Sequence, residues 1–236
     1  MLPSAPFFAP GRALQALSRL LRDPDDLPQV FTVIQSLSGR TPQRMLRRMR
    51  ASAGWLLEAR PDIVPRLTDR AALRRLPAGS LGRQYLAFAE AEGISAQGII
   101  EANERGRVGG AVVPEELQWL HHRMRDTHDL WHAVTGYQGD VLGEAALLAF
   151  TFAQTGNPGI GLMVGAALLK TAGDRDARRL IVDGFRRGRR AAWLPGVGWE
   201  SLLSTPLHEV RAQLGVDAPP VYTPIRSAEL RARAAA

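Results

Sequence analysis

The sequence predicts an all-α fold, a single-domain bundle of about eight to ten helices. Apolar residues recur at intervals of three and four through most of the 236 residues, which is the period of a helix with one buried face. Gly and Pro separate these segments at short intervals, as in helices joined by tight turns. Only VGGAVV, residues 108–113, has a strand-like composition, and it is too short to indicate a sheet.

The helix boundaries follow from residues that start and stop helices. A pair of Asp residues precedes the second segment, which ends at Gly39. Thr41 then caps the third segment, and Pro42 takes its first helical position. The main predicted helices span residues 11–23, 25–39, 41–59, 79–93, 95–106, 114–136, 143–157, 159–173, 174–194 and 206–215.

The chain is long enough for one sizeable core, and it has no internal repeat and no long low-complexity linker. We expect residues 1–60 to form N-terminal helices that offer a membrane or dimer contact. Residues 61–225 are expected to form a helical core that carries the site described below. The N-terminal segment PFFAPGRALQALSRLLR combines Phe and Leu with Arg, a pattern that fits a membrane interface and fits packing on the protein's own core equally well.

Composition narrows the classes of function. With no cysteine, the chain has no disulfide, no thiolate metal ligand and no Cys nucleophile. The formal net charge is +7 and comes almost entirely from Arg, since Lys170 is the only lysine. A positive surface favours an anionic membrane as a partner. Because no nucleic-acid motif and no interleaved aromatic pattern accompanies the charge, we expect no nucleic-acid partner.

The location of the protein is predicted from the same features. The Arg, Ala and Gly content is typical of a GC-rich bacterial coding sequence. The N-terminus, MLPSAPFFAPGRALQ, lacks the pattern of a signal peptide. The longest apolar stretch, residues 158–169, is shorter than the roughly 18–20 residues that cross a bilayer. We therefore expect a protein of the bacterial cytoplasm, peripheral on the inner face of the cytoplasmic membrane.

The densest group of metal-ligand side chains lies in the segment THDLWHAVTGYQGDVLGE. If residues 114–135 form one helix, His128 and His132 lie one turn apart on one face, and Asp129 lies about 60° from His132. Glu144 starts the next helix and returns to the histidines if the two helices pack antiparallel across the GYQGD turn. Two imidazoles and two carboxylates in such a helix–loop–helix metal site suit zinc, iron or manganese.

Other interpretations of these residues stay open. Two His residues four apart on an amphipathic helix are often a solvated pair without a ligand. Zincin peptidases carry Glu, their general base, where this chain has Asp129. HD-domain phosphohydrolases need a further His on an earlier helix, whereas His121 and His122 share the helix of the motif. His121 falls near the face of the motif, but we expect it on the surface, as we do His208.

The pattern HDLWH, eleven residues and then Glu is similar to the HDxxH-x11-E motif of the family of the fourth Coq protein of ubiquinone (coenzyme Q) biosynthesis. The flanking segments RMRDTHDLWHAVTGY and GEAALLAFTFAQTGNP resemble that family as well. So do LGRQYLAF upstream and FRRGRRA and WESLL…EVRAQLG downstream. The resemblance covers roughly residues 75–215.

The resemblance implies an enzyme that removes the carboxyl group from ring carbon 1 of a polyprenylated hydroxybenzoate, with oxygenation of the same carbon. It implies one divalent metal ion, usually assigned as zinc, with iron or manganese as alternatives. The implied ligands and catalytic residues are His128, Asp129, His132 and Glu144. Expected partners are a polyprenylated benzoate or quinone lipid, other ubiquinone-biosynthesis proteins and a second copy of the chain. The alternative hypothesis is a non-catalytic scaffold stabilised by the metal, or a prenyl-lipid-binding organiser of the ubiquinone-synthesis complex.

Two further segments bear on lipid binding. GIGLMVGAALLKTAG fits a close helix–helix contact in the core, and it also fits one wall of a groove for an isoprenoid tail. RRGRR, residues 186–190, fits a solvated helix end or a contact with phospholipid head groups.

Overall fold

The computed structural model describes residues 8–93, 96–106, 113–229 and 232, and the prediction of an all-α fold is confirmed. These residues form fifteen α-helices and a short 3-10 helix, with a single isolated β-bridge between Ser80 and Pro206. The helices are α1 (Pro10–Arg22), α2 (Leu27–Ser36), α3 (Thr41–Ser52), α4 (Gly54–Ala59), α5 (Val64–Thr68), α6 (Arg70–Arg75), α7 (Leu81–Glu92), α8 (Ala96–Arg105), α9 (Glu115–Asp126), α10 (His128–Thr135), α11 (Val141–Thr155), α12 (Pro158–Lys170), α13 (Arg175–Arg190), the 3-10 helix Leu194–Gly196, α14 (Trp199–Leu202) and α15 (Leu207–Leu214). VGGAVV lies outside the described residues, except for its last valine.

The helices outnumber the prediction partly because two long predicted helices are divided. Residues 41–59 form α3 and α4, and Ala53 between them leaves helical geometry at φ −151°. Residues 114–135 form α9 and α10, with Thr127 between them at φ −94° and ψ −2°. The Thr127 hydroxyl donates to the carbonyl oxygen of Arg123 one turn back, which is a local bond that competes with the regular backbone ladder.

One main core joins helices from both ends of the chain. Trp131 of α10 and Phe150 of α11 are among its largest fully buried side chains, and their rings meet edge to face. Leu17 of α1 and Val33 of α2 belong to the same core. The N-terminal helices therefore pack within the bundle. The boundary at residue 60 and the dimer contact stay predictions.

A smaller apolar cluster joins α3 and α4 to α9, and it includes Met49, Leu56 and Leu120. Arg123 of α9 is buried beside it and forms an ion pair with Glu200 of α14. Truncating either partner of such a buried pair leaves an uncompensated charge, so the pair anchors α9 to α14. The position of α9 in turn sets where α10 begins.

Helices α11 and α13 lie along each other in a close contact that glycine makes possible. A Cβ at Gly184 would lie 2.3 Å from the carbonyl oxygen of Ala146, and one at Gly188 would lie 2.5 Å from that of Phe150. Both contacts advance by four residues along each helix, so α11 and α13 run in the same direction. This contact holds α11, the helix that carries Glu144, against the core.

Helix α12 contains the predicted small-residue segment, and its two sides differ. At Gly159 a Cβ would lie 2.5 Å from the carbonyl oxygen of Val33, so this side is a close contact with α2. At Gly165 no atom lies within 4 Å of a Cβ, and Leu169 is 79% exposed. The core contact expected for this segment is present, and its other side is open. Within the described residues, no helix combines the length and the apolar composition that crossing a bilayer requires.

Candidate metal site

Both motif histidines lie on α10, an eight-residue helix whose remaining surface is packed in the core. Leu130, Trp131 and Val134 are fully buried around it. His132 is buried too, whereas the side chain of His128 is 35% exposed. The two imidazoles therefore lie at the border between the core and the solvent.

The turn between α10 and α11 brings Glu144 back to the histidines, as predicted. Gly136 ends α10 in the left-handed region at φ 80°, where a residue with a side chain would be strained. Asp140 then starts α11, because its carboxylate accepts hydrogen bonds from the backbone amides of Leu142 and Gly143 at 3.1 and 3.2 Å. Glu144 lies in the first turn of α11, with its side chain 40% exposed.

Three ligand atoms, one each from His128, His132 and Glu144, lie within 4.8 Å of one another. Nε2 of His132 is 3.2 Å from Oε1 of Glu144, and Nε2 of His128 is 4.0 Å from Oε2. The two imidazole rings meet edge to face, with their centroids 4.8 Å apart. Two imidazoles and one carboxylate form a donor set that binds zinc in catalytic sites and iron(II) in oxygenases.

Hydrogen bonding leaves one nitrogen of His132 available to a cation. Nδ1 lies 2.9 Å from the carbonyl oxygen of Tyr137, and because a carbonyl only accepts, Nδ1 carries the proton. In the neutral ring Nε2 then carries a lone pair, and this nitrogen is buried without a hydrogen-bond partner. The nearby oxygen of Glu144 is also an acceptor. A cation shared by the two groups satisfies both of them, so the residues fit a bound metal ion.

The pKa values of the two groups reflect their pairing. Burial, the largest single effect, lowers the pKa of His132, but the Glu144 carboxylate, Asp129 and the Tyr137 carbonyl together outweigh it and raise that pKa above its ordinary value. Desolvation raises the pKa of Glu144, but His132 and His128 outweigh it and hold that pKa below its ordinary value. Each neighbour favours the charged form of the other, so the site stabilises positive charge beside the carboxylate.

Helix α7 forms a wall beside His132. The ring of Phe88 stacks on the imidazole, with the centroids 4.7 Å apart and the planes 16° from parallel. Together with the bond to Tyr137, this stacking restrains the orientation of the imidazole. The ring is therefore held in place by the protein before any ligand binds.

Asp129 lies beside the group of three rather than within it. Its Oδ1 is 3.2 Å from Nδ1 of His128. The carboxylate is buried, and burial together with its charge raises the pKa of Tyr85 to about 12. A carboxylate on the far nitrogen of a metal-binding histidine commonly orients the ring and fixes its tautomer. That Asp129 is itself a fourth ligand stays a prediction.

The other histidines lie apart from this group. His121 and His122 are exposed on α9, and His208 is exposed on α15. None of them belongs to the potential metal-binding group found among the described residues. The expected surface positions of His121 and His208 are confirmed.

Other residues shape the site without a signal in the motif. Tyr137 acts through its backbone carbonyl, and a pattern of side chains cannot predict such a contact. Asp140 is a helix cap, and an Asp directly before an apolar helical segment could have revealed it. Tyr222 belongs to the C-terminal segment, and its hydroxyl donates to Asp140 at 2.7 Å. No spacing rule connects residues that lie so far apart in the chain.

The chain matches known proteins along most of its length. A sequence profile of the family described as coenzyme Q (ubiquinone) biosynthesis protein Coq4 matches residues 13–220. The mitochondrial ubiquinone biosynthesis protein coq4 of Talaromyces stipitatus is 34% identical over 173 residues, which cover 72% of this chain and 58% of that protein. The protein of the same name from Pyricularia oryzae is 34% identical over 183 residues, with 75% and 57% covered. The chain thus matches less than two thirds of the length of these relatives.

A solved structure shares the fold. The crystal structure of a candidate ubiquinone biosynthesis protein from Nostoc punctiforme superposes with a TM-score of 0.65 and covers 89% of this chain and 100% of that one. The two sequences are 22% identical, and at this level the likeness shows the fold alone.

The comparisons contradict the predicted location. The curated relatives are fungal proteins named as mitochondrial, so the expectation of a bacterial cytoplasmic protein is wrong. Its basis was an excess of Arg, Ala and Gly, which reflects codon usage and surface charge and does not identify a compartment. The family assignment rests instead on matched residues that include the whole HDxxH-x11-E motif. The chain belongs to the Coq4 family of coenzyme Q (ubiquinone) biosynthesis proteins.

Proposed function

We propose that this chain is a metal-dependent enzyme of ubiquinone biosynthesis that removes the carboxyl group from ring carbon 1 of a polyprenylated hydroxybenzoate, with oxygenation of the same carbon. Membership of the Coq4 family supports the pathway. One observation carries the metal-dependent part: Nε2 of His132 is buried without a hydrogen-bond partner and lies 3.2 Å from a carboxylate oxygen of Glu144. Two acceptors this close are costly unless a proton or a metal cation lies between them, and a metal ion is the partner that we propose.

His128, His132 and Glu144 would hold one divalent ion, with zinc, iron and manganese as candidates. When bound, the ion supplies positive charge that binds the carboxylate or phenolate of the substrate and stabilises negative charge on the ring as CO₂ leaves. Three protein ligands leave a coordination position for the substrate. If the same centre also activates dioxygen, a redox-active ion is required, and zinc does not meet that requirement.

The protein's own groups orient this centre. The Tyr137 carbonyl keeps the proton of His132 on Nδ1, which presents Nε2 to the site. Asp129 has the corresponding position at Nδ1 of His128. Phe88 covers one face of the His132 ring and keeps water from it. These contacts preorganise the ligands, so that little reorganisation is needed on binding.

Turnover by purified protein tests the catalytic proposal. Protein reconstituted separately with zinc, iron(II) or manganese is incubated with a prenylated hydroxybenzoate and a chemical reductant, in air and under nitrogen. We expect mass spectrometry to show loss of the carboxyl group and, in air, a hydroxyl group in its place. His132→Ala is expected to give no product. If no ion yields product in either atmosphere, although the protein binds metal, the catalytic proposal fails.

The alternative function is a scaffold that binds other ubiquinone-biosynthesis proteins or a prenyl lipid. The burial of His132 between α7 and α11 favours it, because a metal there would tie core helices together. In that case His128→Ala lowers thermal stability and partner binding together. In the enzyme, the same substitution abolishes turnover and leaves the fold intact. Circular dichroism and thermal unfolding, measured beside turnover, separate the two functions.

We also propose that an anionic membrane is a partner and that it meets the exposed face of α13. A shallow cleft on this face is lined by Ala172, Arg175, Arg178, Arg179, Val182 and Arg186. Phe185 and Leu169 are exposed nearby along α13 and at the end of α12. The planar fork of Arg binds phosphate oxygens, and apolar side chains beside it can enter the interface. Of the N-terminal contact predicted earlier, Phe7 lies outside the described residues, and Phe8 is exposed.

Liposome flotation tests this surface. We expect binding to vesicles that contain anionic lipid, weakening as salt rises, because exposed charges are screened over about 8–10 Å at moderate ionic strength. Replacing Arg175, Arg178 and Arg179 together by Gln is expected to abolish most of this binding. The matched control replaces Arg40, Arg47 and Arg75 by Gln. These residues are exposed elsewhere on the protein, and their substitution removes the same amount of charge. Equal losses in both variants would show that net charge alone is responsible and that α13 is not the docking face.

A further inference from the structure

The C-terminal segment, residues 217–226, lies across the turn that joins the two ligand-bearing helices, and we call it the C-terminal strap. Pro219 packs on the start of this turn, where a Cβ at Gly136 would lie 2.5 Å from the Cβ of Pro219. At the other end of the turn, the amide of Val141 donates to the carbonyl oxygen of Ile225 at 2.9 Å. The strap therefore contacts the turn at the end of α10 and again at the start of α11.

Tyr222 connects the middle of the strap to the turn. Its hydroxyl accepts a hydrogen bond from the backbone amide of Gln138 at 2.9 Å and donates one to Oδ2 of Asp140 at 2.7 Å. The amide of Ile225 donates to the other carboxylate oxygen, Oδ1 of Asp140, at 2.9 Å. The partly buried Asp140–Tyr222 pair is thus held by bonds whose directions are fixed, which restrains the turn more tightly than apolar contact would.

The same carboxylate caps the helix that carries Glu144. Asp140 accepts from the amides of Leu142 and Gly143, and its own carbonyl oxygen accepts from the amide of Glu144 at 2.8 Å. A shift of Asp140 therefore moves the first turn of α11 and with it Glu144. The side chain of Tyr222 therefore reaches Glu144 through Asp140, and Ile225 also bonds Val141, the first residue of α11.

The histidine side of the site is held to the strap as well. Nη2 of the buried Arg187 donates to the carbonyl oxygen of Thr135, the last residue of α10, and to that of Asp217, each at 2.9 Å. Arg226 at the far end of the strap pairs with Glu92, which also accepts from the amide of Gly139 at 3.2 Å. Both α10 and α11 are therefore connected to the same segment of backbone, the C-terminal strap.

We propose that the C-terminal strap is a positioning element of the metal site, with Tyr222 as the residue that sets Glu144 at its distance from His128 and His132. This inference rests on the proposed function, since it assumes that these three side chains bind a metal ion. Tyr222, Ile225 and Arg226 lie beyond residue 220, where the match to the family profile ends. The motif alone does not specify this element.

Metal affinity and site geometry test the strap. Tyr222→Phe keeps the ring and removes both hydrogen bonds of the hydroxyl. Zinc affinity is measured by competition with a chelator, the visible absorption of bound cobalt(II) reports coordination, and thermal unfolding of the metal-free protein reports stability. We expect zinc affinity to fall roughly 10-fold or more, as for other residues that support metal ligands, with an altered cobalt spectrum. Val221→Ala, at a fully exposed neighbour in the strap, is expected to leave both unchanged.

The outcomes separate the strap from the site itself. If Tyr222→Phe lowers only the unfolding temperature and keeps the wild-type zinc affinity and cobalt spectrum, the strap is merely structural and the inference is wrong. If the wild-type protein binds neither ion, the proposed metal site fails, and the inference falls with it. Should Tyr222→Phe not fold, Arg226→Gln makes the same test from the exposed end of the strap, and wild-type affinity in that variant overturns the inference.

Discussion

At the scale of single residues, the site depends on how the two nitrogens of His132 are used. The Tyr137 carbonyl binds Nδ1–H, and the lone pair of Nε2 meets the carboxylate of Glu144. Burial alone would favour a neutral imidazole, yet the pKa of His132 is raised, because the carboxylate favours the positive form. A cation between the two groups satisfies both of them, and a metal ion can take the place of the proton.

Glu144→Gln separates a ligand from a helix-end charge. As a ligand, Glu144 is expected to lose metal affinity on the order of 100-fold or more when its charge and one of its acceptor oxygens are removed, since even supporting residues cost 10–100-fold. The metal-free protein should lose at most about 1 kcal/mol, which is the usual value of an acid in the first turn of a helix. Calorimetric zinc titration and denaturant unfolding measure the two effects.

Glu209→Gln is the matched control for this substitution. Glu209 also lies in the first turn of a helix, α15, and is exposed. It should show the small effect on stability and no effect on zinc affinity. Equal zinc affinity in the Glu144 and Glu209 variants would remove Glu144 from the site.

Asp129→Asn distinguishes an orienting carboxylate from a fourth ligand. The contact with Nδ1 of His128 favours the orienting role, for which we expect zinc affinity to fall by roughly 10–100-fold while the cobalt(II) spectrum keeps its shape. Direct ligation would change the spectrum, because one donor oxygen becomes an amide. Unchanged affinity would contradict both roles.

At the scale of helices, the sequence predicts the elements better than their breaks. Gly136 predicts the end of α10 and is found there, whereas the Asp140 cap starts α11 at Val141, two residues before the predicted start at residue 143. The break at Thr127 has no such signal, because neither Gly nor Pro is present and a bond from a Thr hydroxyl to a carbonyl one turn back also occurs in unbroken helices. Because His128 and His132 both lie after that break, on α10, they are one turn apart as predicted.

Gly184→Ala tests the contact between α11 and α13. The added Cβ would lie 2.3 Å from a backbone oxygen of Ala146, which cannot move without shifting α11. We expect a loss of about 1–3 kcal/mol in the free energy of unfolding, as for other overpacked sites. Gly165→Ala is the control, because it makes the same change within helix α12 where no atom lies within 4 Å. It should be neutral or stabilise by up to about 1 kcal/mol, and a similar loss in both variants would refute the close contact.

At the scale of the whole molecule, the site is assembled from parts that are distant in the sequence. The spacing of the motif predicts that His128, His132 and Glu144 meet, because they share one helix–loop–helix unit. The wall from Phe88 and the strap through Tyr222 come from segments far before and far after the motif in the sequence. Such contacts depend on tertiary packing, for which a single sequence carries no local pattern.

The most direct test of the account is the metal content of the protein. Protein purified without a histidine tag or chelator, and reconstituted with zinc, iron(II) or manganese where needed, is analysed for metal beside Glu144→Gln. We predict close to one equivalent of a divalent ion per chain for the wild type, and a large loss in the variant. Absence of metal from the wild type after reconstitution with all three ions, or full occupancy in Glu144→Gln, would contradict the site formed by His128, His132 and Glu144.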